Sequence, residues 1–161
     1  MLRHFLAAIA YRTQKALRGA PDGFGDFEAG QQVRTPHDLV EHMDSVLGYS
    51  LTFLRGGGTY SPPRLPFDEQ VELFHGKLED LAKELEGDAS FDDLTEEQLL
   101  QGPLSDVMTH AGQLAMLRRL AGAPIPPENF IFAEVDPDNL GSQQAEPAAP
   151  DAEWPERPED S

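Results

Sequence analysis

Residues 66–85, PFDEQVELFHGKLEDLAKEL, set Phe67, Val71, Phe74, Leu78, Leu81 and Leu85 at alternating spacings of four and three. On a helix that alternation keeps the apolar side chains in one narrow stripe, the pattern of a seam packed between other helices. Three further segments carry helix signals. In residues 2–18, Leu2, Leu6, Ile9, Thr13 and Ala16 share a face, and Gly19 supplies a stop. Residues 35–55 open with Thr35 as N-cap, Pro36 at the first helical position and Asp38 in the first turn, and they close before Gly56-Gly57-Gly58. The last segment runs from Pro103 to Ala121, stopped by Gly122 with Pro124 beyond. Thr95-Glu96-Glu97-Gln98 is a capping box for a short connecting turn. No stretch alternates convincingly as a strand. The expected fold is therefore all-α, an antiparallel four-helix bundle over residues 1–132. The long loop 20–34 leaves the connection order open.

Composition narrows the function. The chain has 161 residues, no Cys, and 12 Lys+Arg against 29 Asp+Glu, a formal charge of −17. A disulfide scaffold, a thiolate metal site and a cysteine nucleophile are excluded. So much negative charge argues against nucleic acid and against an anionic membrane as partners. No apolar run approaches the length of a membrane span, and the N-terminal apolar stretch is broken by Tyr11-Arg12 as a signal peptide would not be, so a cytoplasmic location is expected. Residues 133–161 carry nine acidic residues against Arg157. Rich in Pro, Ala and Glu, they read as a C-terminal extension whose last residues form a solvated tail, with Trp154 its only candidate anchor.

Two helices carry polar residues where a core is expected. On the second, Leu39, His42, Val46, Tyr49 and Phe53 fall on one stripe, which places His42 facing the interior. The last helix, PLSDVMTHAGQLAML over residues 103–117, has a single charged residue, Asp106, before Arg118-Arg119. That composition predicts a helix enclosed on most sides, with Asp106 as a buried carboxylate in need of a partner. Asp106 and His110, at i and i+4, project side by side and can offer two ligands to one cation. His42 would complete a set of two imidazoles and a carboxylate, leaving positions open for water or substrate, with Gln113 as an outer partner. The same residues also read without a metal, as a hydrogen-bonded core His42 and an Asp106 favoured by the helix dipole beside His110.

The segments TPHDLVEHMDSVLGY and SDVMTHAGQLAMLRRLAG resemble the DinB-like superfamily of metal-dependent proteins, related to bacterial thiol-dependent S-transferases. His110-Ala111-Gly112-Gln113 is similar to the family's last-helix signature, and His42 falls at the position of its second-helix ligand. Asp106 stands where the family commonly has a third His. The resemblance implies a four-helix bundle, usually a homodimer, binding a divalent ion through His42, Asp106 and His110. Zinc, nickel, iron and manganese all remain open as that ion. The implied activity is metal-dependent activation of a low-molecular-weight thiol or of water, for transfer to or hydrolysis of a small-molecule substrate. Tyr49 is a candidate proton donor. The alternative is a non-catalytic helical-bundle binding protein with a vestigial or storage metal site. His4 and His37 read as surface residues, His75 as lying near a helix boundary, and Arg118 and Arg119 as complements to their helix dipole.

Overall fold

The computed structural model describes residues 1–87, 94–148 and 150. Four long helices build the fold: α1 (Leu2–Leu17), α2 (Pro36–Leu54), α3 (Phe67–Glu86) and α5 (Ser105–Leu120), with the short α4 (Glu96–Leu99) before the last. There is no strand among the described residues. α2 packs on α3 and α5, and α1 packs on α5 and α3. The fold is an all-helical bundle.

Its ends follow from local chemistry. Thr35 and Asp38 form a reciprocal capping box at the start of α2, with Pro36 inside it. Thr95 and Gln98 form another at α4. α2 stops where Gly56, Gly57 and Gly58 all take positive φ, a region closed to most L-residues. The α3 seam packs as its spacing predicts: Val71, Phe74, Leu78 and Leu81 are buried against Leu6, Ile9, Met43, Leu47, Leu99, Leu104 and Leu114. Each such side chain contributes about 1.5–3 kcal/mol by leaving water.

Pro103 does not start a helix. α4 runs directly into a π-helical turn, Leu100–Leu104, and that turn runs into α5. Pro103 has no N–H to donate and its ring would clash in an α-helical turn, which the wider turn accommodates. Ser105 Oγ donates to the Leu100 carbonyl at 2.6 Å, holding the turn immediately before Asp106.

One close approach fixes the outer side of α2. The Tyr60 ring lies over Gly48, where an added Cβ would meet ring carbons at 2.0 to 2.5 Å. The Tyr60 hydroxyl donates to Asp44 Oδ2 at 2.6 Å, one turn earlier on α2. Asp44 is fully buried, and that burial holds its carboxyl above the ordinary carboxylate value. Gly48→Ala is expected to expel the ring and strand Asp44, costing about 2–3 kcal/mol in denaturant unfolding despite alanine's better helix propensity.

The chain after α5 folds back onto the bundle. Glu128 is buried between Tyr11, whose hydroxyl donates to it at 2.7 Å, and Lys15, whose ammonium lies 2.8 Å away. Arg12 stacks on Phe130 at 3.7 Å from the ring centre. Further on, Leu140 is buried, and Arg18 donates to the carbonyls of Gln144 and Ala145 and pairs with Glu146. The extension is therefore anchored to α1 through residue 146, where its composition alone suggested a solvated chain from about residue 142. Trp154 lies outside the described residues.

His75 is central to this anchoring rather than near a helix boundary. It is 2 % exposed in mid-α3. Its Nδ1–H donates to the Leu140 carbonyl at 2.7 Å, and its Nε2 accepts from the Gln14 amide at 3.0 Å. Burial holds this imidazole below its ordinary value, against the hydrogen bond to Leu140 and the charges of Glu72 and Glu79. A depressed folded-state value means that the unfolded chain binds the proton more readily. Stability is therefore full above the ordinary histidine value of about 6.5 and falls as pH drops through the folded value. The loss of melting temperature between pH 7.5 and pH 5.5 is expected to shrink in His75→Asn. His37 is also buried, with its ring edge-on to Phe67 at 5.7 Å, because the first turn of α2 faces the start of α3.

Candidate metal centre

α2 and α5 bring His42, Asp106 and His110 together. One potential ligand atom from each lies within 4.8 Å of the others. Nε2 of His42 is 3.5 Å from Asp106 Oδ2, and Nε2 of His110 is 3.5 Å from Asp106 Oδ1. The two imidazoles stand edge to face, 4.8 Å between centres. The triad that spacing could only suggest is thus one cluster in space.

The surroundings differ from the expected enclosure. The Asp106 side chain is 46 % exposed, His42 32 % and His110 9 %. Along α5, Thr109, Gly112, Gln113 and Met116 form an exposed face without charge. On α2 the buried side is Val40, Met43, Leu47, Leu51 and Leu54. The stripe through His42, Val46 and Tyr49 lies roughly a third of a turn away. His42 therefore borders solvent and does not face the core, and Tyr49 is 58 % exposed. The Tyr49 ring packs edge-on against Phe53 and lines, with Val46, Pro103, Asp106 and Thr109, an open cleft of about 780 Å³.

The hydrogen-bonding pattern decides what the cluster can hold. His110 Nδ1 is 2.8 Å from Gln113 Oε1. A carbonyl oxygen only accepts, so with the Gln113 carboxamide in this orientation Nδ1–H donates to it, and it is Nε2 of the neutral ring that would present a lone pair towards Asp106. Gln113 thereby does what outer partners of ligating histidines do, fixing the tautomer and ring orientation. Two lone-pair-bearing atoms facing each other at 3.5 Å repel unless a proton or a cation lies between them. A charge-assisted hydrogen bond would draw them to about 2.7–2.9 Å. Ligand atoms about 2.0–2.1 Å from a tetrahedral ion stand about 3.3 Å apart; the two 3.5 Å separations involve different Asp106 oxygens, and one atom from each residue gives a set spanning up to 4.8 Å. Two imidazoles and a carboxylate are a donor set of the kind a divalent cation takes, once side-chain rotation closes the widest of these separations by about an ångström or more. Desolvation first, then Arg34 and His110, hold the His42 imidazole below its ordinary value, with Asp106 opposing them. At neutral pH it is in the uncharged form a metal requires.

No family model, no curated protein and no solved structure matches this chain. No helix among the described residues is long and apolar enough to cross a membrane.

Proposed function

We propose that the protein is a divalent-metal-dependent enzyme of the DinB-like type, an antiparallel bundle whose ion is held by His42, Asp106 and His110. The observation supporting this reading is the pair of 3.5 Å separations around Asp106, with His110 held by Gln113 in the ligating tautomer. A bound divalent ion would lower the pKa of water or of an exogenous low-molecular-weight thiol, supplying a nucleophile near neutral pH. The chain's own residues do the rest. Asp106 supplies the negative charge that balances the cation, and its exposure keeps one side of the centre open to small molecules. His110, nearly buried, provides the rigid ligand. Tyr49, with a hydroxyl that makes no hydrogen bond among the described residues, is available to donate a proton in the cleft that Asp106 lines.

Elemental analysis of untagged, purified protein tests the reading. Near-stoichiometric zinc, nickel, iron or manganese, removed by chelator, is expected. Sub-stoichiometric metal that does not rise on reconstitution would leave a non-catalytic bundle with a vestigial site as the better account.

A further inference from the structure

Three of the large apolar side chains that the described residues expose, Val33 at 50 %, Met116 at 57 % and Leu120 at 58 %, line a single half-open cleft of about 460 Å³. His110 and Gln113 are in its lining, so it leads to the candidate metal centre. Its volume is within the range of small-molecule sites, and exposed apolar clusters beside polar groups mark binding surfaces.

Arg34, itself exposed, lines the mouth of the same cleft. In a chain of charge −17, Arg3, Arg18, Arg55 and Arg64 all pair with carboxylates. Arg34 makes no hydrogen bond or ion pair among the described residues. The backbone that carries it is strained. Gln31 and Gln32, at φ of 54° and 60°, are the positive-φ residues other than glycine among the described residues, and they immediately precede Val33 and Arg34. A turn from the Gly30 carbonyl to the Val33 N–H, 3.0 Å, fixes that conformation.

We propose that this cleft binds a small organic acid, its apolar body against Val33, Met116 and Leu120 and its carboxylate on the Arg34 guanidinium. As the substrate class of the His42–Asp106–His110 centre, this assignment rests on the metal-enzyme reading. A cationic ligand would meet Arg34 as a like charge, and a purely apolar one would leave it without a role. An anion is repelled by the rest of this acidic surface, so its binding must come from local charge and apolar contact together.

The test compares 4-phenylbutyrate with its neutral amide, 4-phenylbutanamide, by calorimetry on the full-length, chelator-treated protein. The acid is expected to bind about tenfold more tightly than the amide, as one charge-assisted contact at a partly exposed site predicts. Arg34→Gln should abolish that preference, weakening the acid by more than the amide. Met116→Glu should weaken both ligands, with circular dichroism confirming that each variant is folded. Equal binding of acid and amide by the wild type, unchanged acid affinity in Arg34→Gln, or no heat from the acid at its solubility limit would overturn the proposal. A parallel zinc titration separates the two readings. Arg34-dependent acid binding without zinc uptake keeps the anion site and removes the metal centre, whereas zinc uptake without acid binding does the reverse.

Discussion

Zinc added to the chelator-treated protein is expected to bind at about one ion per chain, and His110→Ala to weaken that binding by on the order of 100-fold or more. Losing an outer partner of a ligating His typically costs about 10–100-fold, and losing the ligand itself costs at least that. Gln113→Ala, which frees His110 Nδ1 from its 2.8 Å partner, should therefore weaken binding by about tenfold while leaving the ligand set intact. His42→Ala should resemble His110→Ala in direction with a smaller loss, because His42 is the more exposed and less constrained imidazole. Asp106→Asn removes the charge that balances the ion at nearly constant shape. Asp106→His replaces it with a third imidazole and should hold zinc at least as well as the wild type. Protons compete for the same lone pairs; because burial holds the His42 imidazole below its ordinary value, zinc affinity should fall as pH drops through that lowered value. Fluorescent-chelator competition reads all of these constants. Stoichiometric zinc uptake unchanged in His42→Ala and His110→Ala would place the ion elsewhere on this acidic chain.

How much of this was legible beforehand depends on how local each signal is. The N-cap at Thr35, the capping box at Thr95 and the α3 seam are set by residues a few positions apart, so sequence and structure agree on them. The pairing of Asp106 with His110 is local in the same way. The approach of His42 is not local: its place among apolar residues on its stripe and the resemblance both suggested it, but only the packing of α2 on α5 brings it there. The buried face of α2 was misplaced because the helix is apolar on two sides. Val46, Tyr49 and Phe53 continue a stripe as regular as that of Met43, Leu47 and Leu51, and only packing decides which one is covered. On α5, the absence of charge suggested burial. The structure shows an uncharged face left open beside the candidate centre, which is the composition of a ligand surface as well as of a core. His75 and Glu128 were out of reach for a different reason. Their partners Leu140 and Lys15 lie 65 and 113 residues away, and a single polar residue at a helical position does not announce a contact at that separation.

Arg118→Met is expected to lower stability by about 3–4 kcal/mol, far more than a surface arginine costs. Arg118 is 5 % exposed and has no carboxylate partner among the described residues, so its role is not that of an ion pair. Its guanidinium donates to four backbone carbonyls: Ala16 at 2.9 Å, Arg18 at 3.0 Å, Gly19 at 3.2 Å and Ala123 at 3.0 Å. The first three belong to the last turn of α1 and the residues just after it, where carbonyls lack helical partners and carry the negative end of the dipole. The fourth follows α5. One cation thus closes α1 while tying it to the end of α5, so the helix-dipole role read from its position on α5 extends to the neighbouring helix. Burial disfavours its charge, which makes those four acceptors the compensation for desolvation. Methionine fills similar space but leaves the carbonyls unsatisfied. Lysine restores the charge but lacks the planar fork that reaches several acceptors at once, so Arg118→Lys should recover only about half of the loss. In a chain of this size, a loss of 3–4 kcal/mol corresponds to a fall in melting temperature of roughly 6–16 °C. Wild-type-like melting of Arg118→Met would show that water replaces these contacts without cost. Amide exchange distinguishes the mechanism from general loosening: protection should drop first in the last turn of α1, before the α3 seam around Phe74 and Leu78 opens.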